Sequence, residues 1–345
     1  MRLRAATNFA LAHSMPYPCF PTLVLLVAAS GFAHGAESLS LLDDHVVDPI
    51  PAWAFPGAGP QSPTKPPRDE LLSVRGSSAQ FTRAHVEDPF GPPDWRPELH
   101  GPPPSVVVHG RAPKLYACGY CHLPDGSGRP ENASLCGLPA AYIEQQVAAM
   151  AAGQRRSAFG DSDAPSKGMG NIAREATRDE VAAAAAYFAS VRVPPKQTVK
   201  EVNAIPAWHA AHYIHILDPG AAAGTTDARL IEPAEDVEAH ERRDPRVGYV
   251  LYVPAGSIER GRQLATAGPS GPATSCFVCH GPALKGAATA PPLAGQFGAY
   301  VLRQLLAFQS GSRASPAAAP MKVVVAHLTL DDMVALSAYI ASRER

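Results

Sequence analysis

A chain of 345 residues with 46% hydrophobic and 18% charged positions has the composition of a globular protein, long enough for two domains or a little more. Its 30 Lys and Arg are balanced by 31 Asp and Glu, so it offers no basic field for a nucleic-acid backbone. Six cysteines are too few for a disulfide scaffold.

At the N-terminus, Arg2 and Arg4 precede an apolar run over 22–29 and small residues over 33–36. A charged start, a short apolar stretch and a cleavage zone describe a secretory signal peptide over 1–36. The run is far shorter than the roughly 20 residues a spanning helix needs. An uncleaved N-terminal anchor is the other reading of these residues.

Residues 37–105 follow as an arm. Between 49 and 104 there are 14 prolines in 56 residues, with few apolar runs. Such a stretch builds little core, so an extended arm is expected, anchored at Trp53 and Trp95, with a short helical piece near 79–88.

Residues 106–193 contain Cys118-Gly-Tyr-Cys121-His122, and residues 256–345 contain Cys276-Phe-Val-Cys279-His280. Cys-x-x-Cys-His is the attachment pattern of c-type haem. Two thiols three positions apart reach the two vinyl groups on one haem edge and form thioethers. The next residue, His122 or His280, then lies under the ring and ligates the iron. A redox disulfide does not require that histidine, and a zinc site needs a second ligand pair nearby. Cofactor expectations are therefore two haem c groups with their iron, attached at Cys118, Cys121, Cys276 and Cys279.

The two segments are copies. At an offset of 158, Leu135, Gly137, Tyr142, Gln146, Gly153 and Arg155 fall on Leu293, Gly295, Tyr300, Gln304, Gly311 and Arg313 without a gap. Beyond that the offset is 152, which places Met169 on Met321, Thr177 on Thr329 and Tyr187 on Tyr339. The six extra residues of the first copy fall within 159–167, whose Gly, Asp, Ser and Pro mark a loop. Self-similarity on this scale is a duplicated unit. Helical periodicity is expected over 142–152 and 300–309, and again over 178–191 and 330–343, the last two opened by capping patterns at Thr177 and Thr329. A further helix, capped by Ser257, is expected over 258–267.

An electron-transfer haem needs a second axial ligand, and a thioether favours the reduced iron. Met169 and Met321 are repeat-equivalent, stand 40–50 residues beyond their histidines in expected loops, and precede the threonine of the last helix by eight. Met150 and Met333 read as core. Each proximal histidine also needs an acceptor for its other ring N–H. Pro291 offers its carbonyl to His280, and Ala133 holds the same position in the first copy.

Between the copies, residues 194–255 form a connector with strand signals over 198–202 and 248–253 and a flexible loop over 220–226. His209, His212 and His215 stand three apart, a spacing that reads as packing or surface histidines before it reads as a ligand set. Net charge is −5 over 37–110, +1 over 111–193, −3 over 194–255 and +4 over 256–345, so the C-terminal copy is the basic one. Such asymmetry steers redox partners.

Together, CxxCH, Leu-x-Gly, Tyr-x-x-x-Gln, Gly-x-Arg, a downstream Met and a Tyr-bearing last helix resemble class I cytochromes c. Two units in tandem resemble the periplasmic diheme His/Met cytochromes c. The resemblance covers 106–193 and 256–345. Its motif usually has Ala where Cys136 stands, which makes Cys136 a small core residue. It implies a mainly α fold: two class I cytochrome c domains joined by an irregular connector with short β-strands, plus the Pro-rich arm. The implied function is periplasmic electron transfer, with axial pairs His122/Met169 and His280/Met321. Electrons would pass between a dehydrogenase or quinol-oxidising complex and a terminal oxidase or other cytochrome, with membrane-complex association possible and no nucleic acid. A haem-bearing subunit of a larger dehydrogenase or oxidase is the alternative. A diheme peroxidase is less favoured, because it needs a displaceable ligand. The chain reads as a carrier more than a catalyst.

Overall fold

The computed structural model describes residues 46–60, 66–224, 227–271, 274–287 and 290–345. The expected signal peptide and Cys19 lie outside them.

The proline-rich arm is packed, not extended. Proline blocks long elements, so the arm folds in single turns: a 3-10 turn at Ala52–Ala54, strand β1 (Leu71–Leu72) paired antiparallel with β2 (Phe81–Thr82), and helix α1 (Arg83–Val86) capped by Thr82. Its few apolar side chains all find contacts. Trp53, Ala54 and Phe55 are buried in the main core. Trp95 is 2% exposed, packs with Leu72, Val74 and Val86, and donates its indole N–H to the Arg242 carbonyl at 2.6 Å. The two tryptophans are the anchors, as their size in a polar stretch suggested.

The first copy contains α2 (Ser105–Val108), α3 (Cys118–His122), α4 (Ala140–Ala151), α5 (Ala164–Glu175) and α6 (Arg178–Ser190). Val107, Leu115, Ile143, Ala185 and Phe188 form its core, with Cys136 among them as a small buried residue. Pro104 starts α2, and the extended backbone of His109 ends it after one turn. Thr177 and Glu180 close the expected capping box on α6.

The connector contributes β3 (Gln197–Val202), β4 (Trp208–Ala211), β5 (Ile214–Leu217), α7 (Val237–Glu241) and β6 (Tyr249–Pro254). β3 and β6 pair in parallel, and β4 and β5 form a hairpin. Its two turn residues, His212 and Tyr213, both have positive φ, at 52° and 65°. The three histidines thus lie on a hairpin and do not converge. His209 Nδ1 meets Asp218 at 2.6 Å and His212 Nε2 meets Glu241 at 2.7 Å. His215 is buried, with Nε2 2.9 Å from the Trp53 carbonyl, and accepts the Glu232 N–H on Nδ1.

The second copy is built of α8 (Ser257–Ala267), α9 (Cys276–His280), α10 (Gly298–Gln309), α11 (Ala319–Val325) and α12 (Leu330–Ala341). Gly256, not Ser257, is the cap of α8, because its left-handed φ of 82° turns the chain into the helix. Gly261 lets α8 lie directly on the Ala335 carbonyl of α12. Met333, Leu336 and Ile340 of α12 are 0–4% exposed, each burial favouring the fold by about 1.5–3 kcal/mol. This cluster also takes in Leu230, Ile231 and Leu251 of the connector. Arm, copies and connector together make one compact unit. Among the described residues, no single helix is long and apolar enough to cross a membrane.

Candidate haem-binding sites

Each Cys-x-x-Cys-His motif forms a one-turn helix, α3 or α9. Positions three apart share a helix face, so the two thiols of each motif point the same way. Burial pushes the Cys118 thiol up to about 12 and that of Cys276 to about 11.

The histidines are held alike. His122 Nδ1 lies 2.8 Å from the Ala133 carbonyl, and His280 Nδ1 lies 2.8 Å from the Pro291 carbonyl. Each bond fixes the ring and leaves Nε2 for a metal. Both histidines are buried, which lowers their pKa, to about 4 for His122, so the imidazoles are neutral and able to ligate.

Cys121, His122 and Met169 border one cavity of about 620 Å³. Met169 is not in a loop: it lies in α5, which starts at the Asp163 cap with Pro165 in its first turn. Met321 likewise lies in α11, with Pro320 in the first turn. Met321, Cys276 and Leu293 pack against the main core cluster. Met150, expected in the core, is half-buried and also borders the first cavity.

The copies meet through a reciprocal set of cations. Arg155 donates to Gln146 Oε1 at 2.8 Å within its own copy, and to Gln304 Oε1 at 3.1 Å and Tyr300 Oη at 2.9 Å across the junction. Arg313 donates to Gln304 at 3.1 Å and Gln146 at 2.7 Å, and also bonds Tyr142. The backbone repeats the symmetry: Arg156 N–H donates to Ser312 O, and Ala314 N–H to Gln154 O. Burial lowers the pKa of Arg313, and Arg155 follows it as the next influence. Only amide and phenol oxygens face the two guanidiniums among the described residues. Arg313 is buried and Arg155 half-buried beside it, and paired cations so placed call for an anion. Arg155, Tyr300, Arg303 and Gln304 all border the His122 cavity. The two carboxylates of a haem therefore fit the residues present.

These six junction residues were visible in the sequence as repeat-equivalent pairs, but their role was not. The connector's share was missed outright. His240, Arg242 and Arg243 border the same cavity. His240 is buried, and its Nδ1 lies 3.0 Å from Tyr249 Oη. Arg129 Nε sits 2.9 Å from Glu131 in the same region. No sequence signal marks the connector residues, because they come from a segment outside the repeat, while Arg129 and Glu131 lie in the first copy at positions whose equivalents, Ala287 and Thr289, are uncharged.

Residues 258–344 match the family model for cytochrome c. The chain is 28% identical to cytochrome c4 of Azotobacter vinelandii over 231 residues, which are 66% of this chain and 84% of that protein. Among solved structures, cytochrome c4 of Acidithiobacillus ferrooxidans is similar at 20% identity and a TM-score of 0.42, over 65% of this chain and 98% of that one. A thiosulfate dehydrogenase from Marichromatium purpuratum is similar at 28% identity and a TM-score of 0.42, over 66% of this chain but 36% of that one. With the attachment motifs, the family match and the cytochrome c4 similarity support a c-type cytochrome, a haem c protein of electron transfer.

Proposed function

We propose that the chain is a periplasmic electron carrier holding two covalently attached haems c, each iron between a histidine and a methionine. Residues 106–193 and 256–345 each form one haem unit. The observation that carries this is the repeated histidine geometry, with both Nδ1 atoms 2.8 Å from the carbonyl eleven residues on. When bound, the iron supplies a one-electron ferrous/ferric couple. Cys118, Cys121, Cys276 and Cys279 would hold the two haems by thioether bonds to their vinyl carbons. His122 and His280, through Nε2, and Met169 and Met321, through their thioether sulfurs, would hold the two irons. Arg155 and Arg313 would offset the charge of the haem carboxylates, and the junction tyrosines would donate hydrogen bonds to them. The charged N-terminal leader supports export, which thioether formation in bacteria requires. Donor and acceptor are redox proteins, a dehydrogenase or quinol-oxidising complex on one side and an oxidase or another cytochrome on the other.

The absorption spectrum of the oxidised protein tests the ligands. A weak band at the red end of the visible reports iron–methionine bonding. It should fall by about half in Met169→Leu and again in Met321→Leu, and persist in Met150→Leu. High-spin features or ready CO binding in the unaltered protein would refute the carrier reading and favour the peroxidase.

A further inference from the structure

The two haem sites repeat their ligands but not their charges. The guanidiniums of Arg129, Arg155, Arg243 and Arg303 all border the cavity that also takes in Cys121, His122 and Met169. Arg129 and Arg303 are 9% and 8% exposed. Arg303 comes from α10 of the second copy and donates to two carbonyls, that of Ala54 at 3.3 Å and that of Pro130. Glu232, the carboxylate that feels Arg303, is spent on the start of α10. Arg243 comes from the connector and donates to the Tyr120 carbonyl at 2.8 Å. Against these cations the wall sets one buried carboxylate, Glu131, 2.9 Å from Arg129 Nε. The more exposed Glu87, Glu238 and Glu241 at the mouth are ion-paired to Arg83, Arg242 and His212, and Asp163 caps α5.

The second site has few of these charges. At the repeat offset Arg129 and Glu131 correspond to Ala287 and Thr289, and Arg303 to Gln145, which is exposed. Arg243 has no counterpart, because the connector occurs once. Arg155 alone has one, Arg313. The imbalance reaches the ligands themselves. Burial is the main influence lowering both proximal imidazoles; Arg129 and Arg155 add to it at His122, and no charged group adds to it at His280.

Water acts in the same direction. All nine residues from 122 to 130 are buried in the first copy, whereas Pro282, Ala283 and Lys285 of the matching segment are exposed. Ferric iron carries one more positive charge than ferrous, so buried cations nearby and the exclusion of water both favour the reduced state. Net charge along the chain runs the other way, +1 over 111–193 and +4 over 256–345. Those are mostly surface charges, and salt screens them beyond about 10 Å. Buried guanidiniums on the cavity wall are screened far less, so they decide the sign.

We propose that the first haem is the higher-potential one, an order set by Arg129, Arg243 and Arg303, and that an electron received at the second haem therefore moves on to the first. This rests on the two-haem carrier reading. One electron leaves the second haem's iron, ferrous to ferric, and is taken up by the first haem's iron, ferric to ferrous. The three arginines ligate nothing; they tune the first centre through their charge. Two come from outside the first copy, so the order belongs to the whole chain and not to either haem unit alone.

The test is a spectroelectrochemical titration of the full chain with both haems attached. It should resolve two one-electron steps, and their order should hold in added salt. Met169→Leu should displace the upper step and leave the lower; Met321→Leu should do the reverse. Arg303→Gln and Arg243→Gln should each lower the upper step by about tenfold in the reduction constant, which is about 59 mV, and leave the lower step within about twofold. Arg303→Lys keeps the charge and should restore the upper step, an outcome that lost packing does not imitate. Gln145→Arg adds the same charge at the exposed equivalent position and should move neither step by more than about twofold. If Met169→Leu displaces the lower step, or the arginine variants move both steps alike, the proposal is overturned and the carrier reading stands. If neither methionine variant displaces a step, the carrier reading with its His/Met ligands fails first.

Discussion

Glu232 gives the fold a pH dependence of its own. The side chain is fully buried, and its two oxygens accept the first N–H groups of α10, from Gly298 at 3.2 Å and Ala299 at 2.8 Å. Burial raises the carboxyl pKa from 4.5 to about 7, against the pull of those two donors and of Arg303; Glu131 adds a small push upward. The folded value is raised, so the unfolded chain loses its proton first as pH rises. Stability that is whole below 4.5 is lost between 4.5 and about 7, at 1.36 kcal/mol per unit, or about 3 kcal/mol in all. Glu232→Gln removes the ionisation and keeps an acceptor at the helix start. Guanidinium unfolding of both proteins, followed by circular dichroism at about pH 5 and about pH 8, isolates the effect. Titrations elsewhere cancel in the difference, including that of the neighbouring His215. The native protein should lose about 3 kcal/mol relative to Glu232→Gln over that range. A difference constant within about 0.5 kcal/mol would refute the reasoning, and would mean that the helix start outweighs burial and keeps the group ionised throughout.

Three further outcomes follow from the same contacts. His215 is held neutral by burial, with its pKa lowered to about 4, so its contribution is lost as pH falls from 6.5 to about 4. His215→Asn should flatten the acid limb of the stability curve by up to about 3 kcal/mol. Gln146→Leu removes one of the two amide oxygens, with Gln304 Oε1 the other, that accept from both Arg155 and Arg313. Leaving two guanidinium donors unpaired should cost about 3 kcal/mol in chemical unfolding. Gly261→Ala would drive its methyl group into the Ala335 carbonyl of α12. It should cost about 2 kcal/mol or more and lower the melting temperature, whereas Gly153→Ala, with open space around it, should cost about 1 kcal/mol from its φ alone.

Local signals in the sequence translated well. The two attachment motifs are one-turn helices, the capping patterns at Thr177 and Thr329 are closed boxes, and the connector strands begin and end within a residue or so of their β-branched runs. These depend on neighbours a few positions apart. The helix around Met169 is equally local, but Asp163 and Pro165 carry the composition of a loop while serving as its cap and first turn. The rest is long-range. The parallel pairing of β3 with β6 spans the whole connector. The hairpin turn at His212 and Tyr213 uses positive φ without glycine or asparagine. The burial of Trp53 depends on α10 and the connector, far along the chain. Proline content told correctly that the arm has no long elements, but not that single turns suffice to seat it.

The reciprocal bonds of Arg155 to Gln304 and of Arg313 to Gln146 make an isologous contact, the kind two identical subunits form about a two-fold axis. Carried within one chain, such a contact no longer depends on dilution. A tether of some tens of residues gives the halves an effective concentration in the millimolar range, so a junction of a few polar bonds persists where free subunits would part. Fusion also releases the halves from identity. Two equal subunits must expose the same surfaces, whereas a tandem pair may cover one and leave the other open. The segment that joins these halves is the segment that tells them apart.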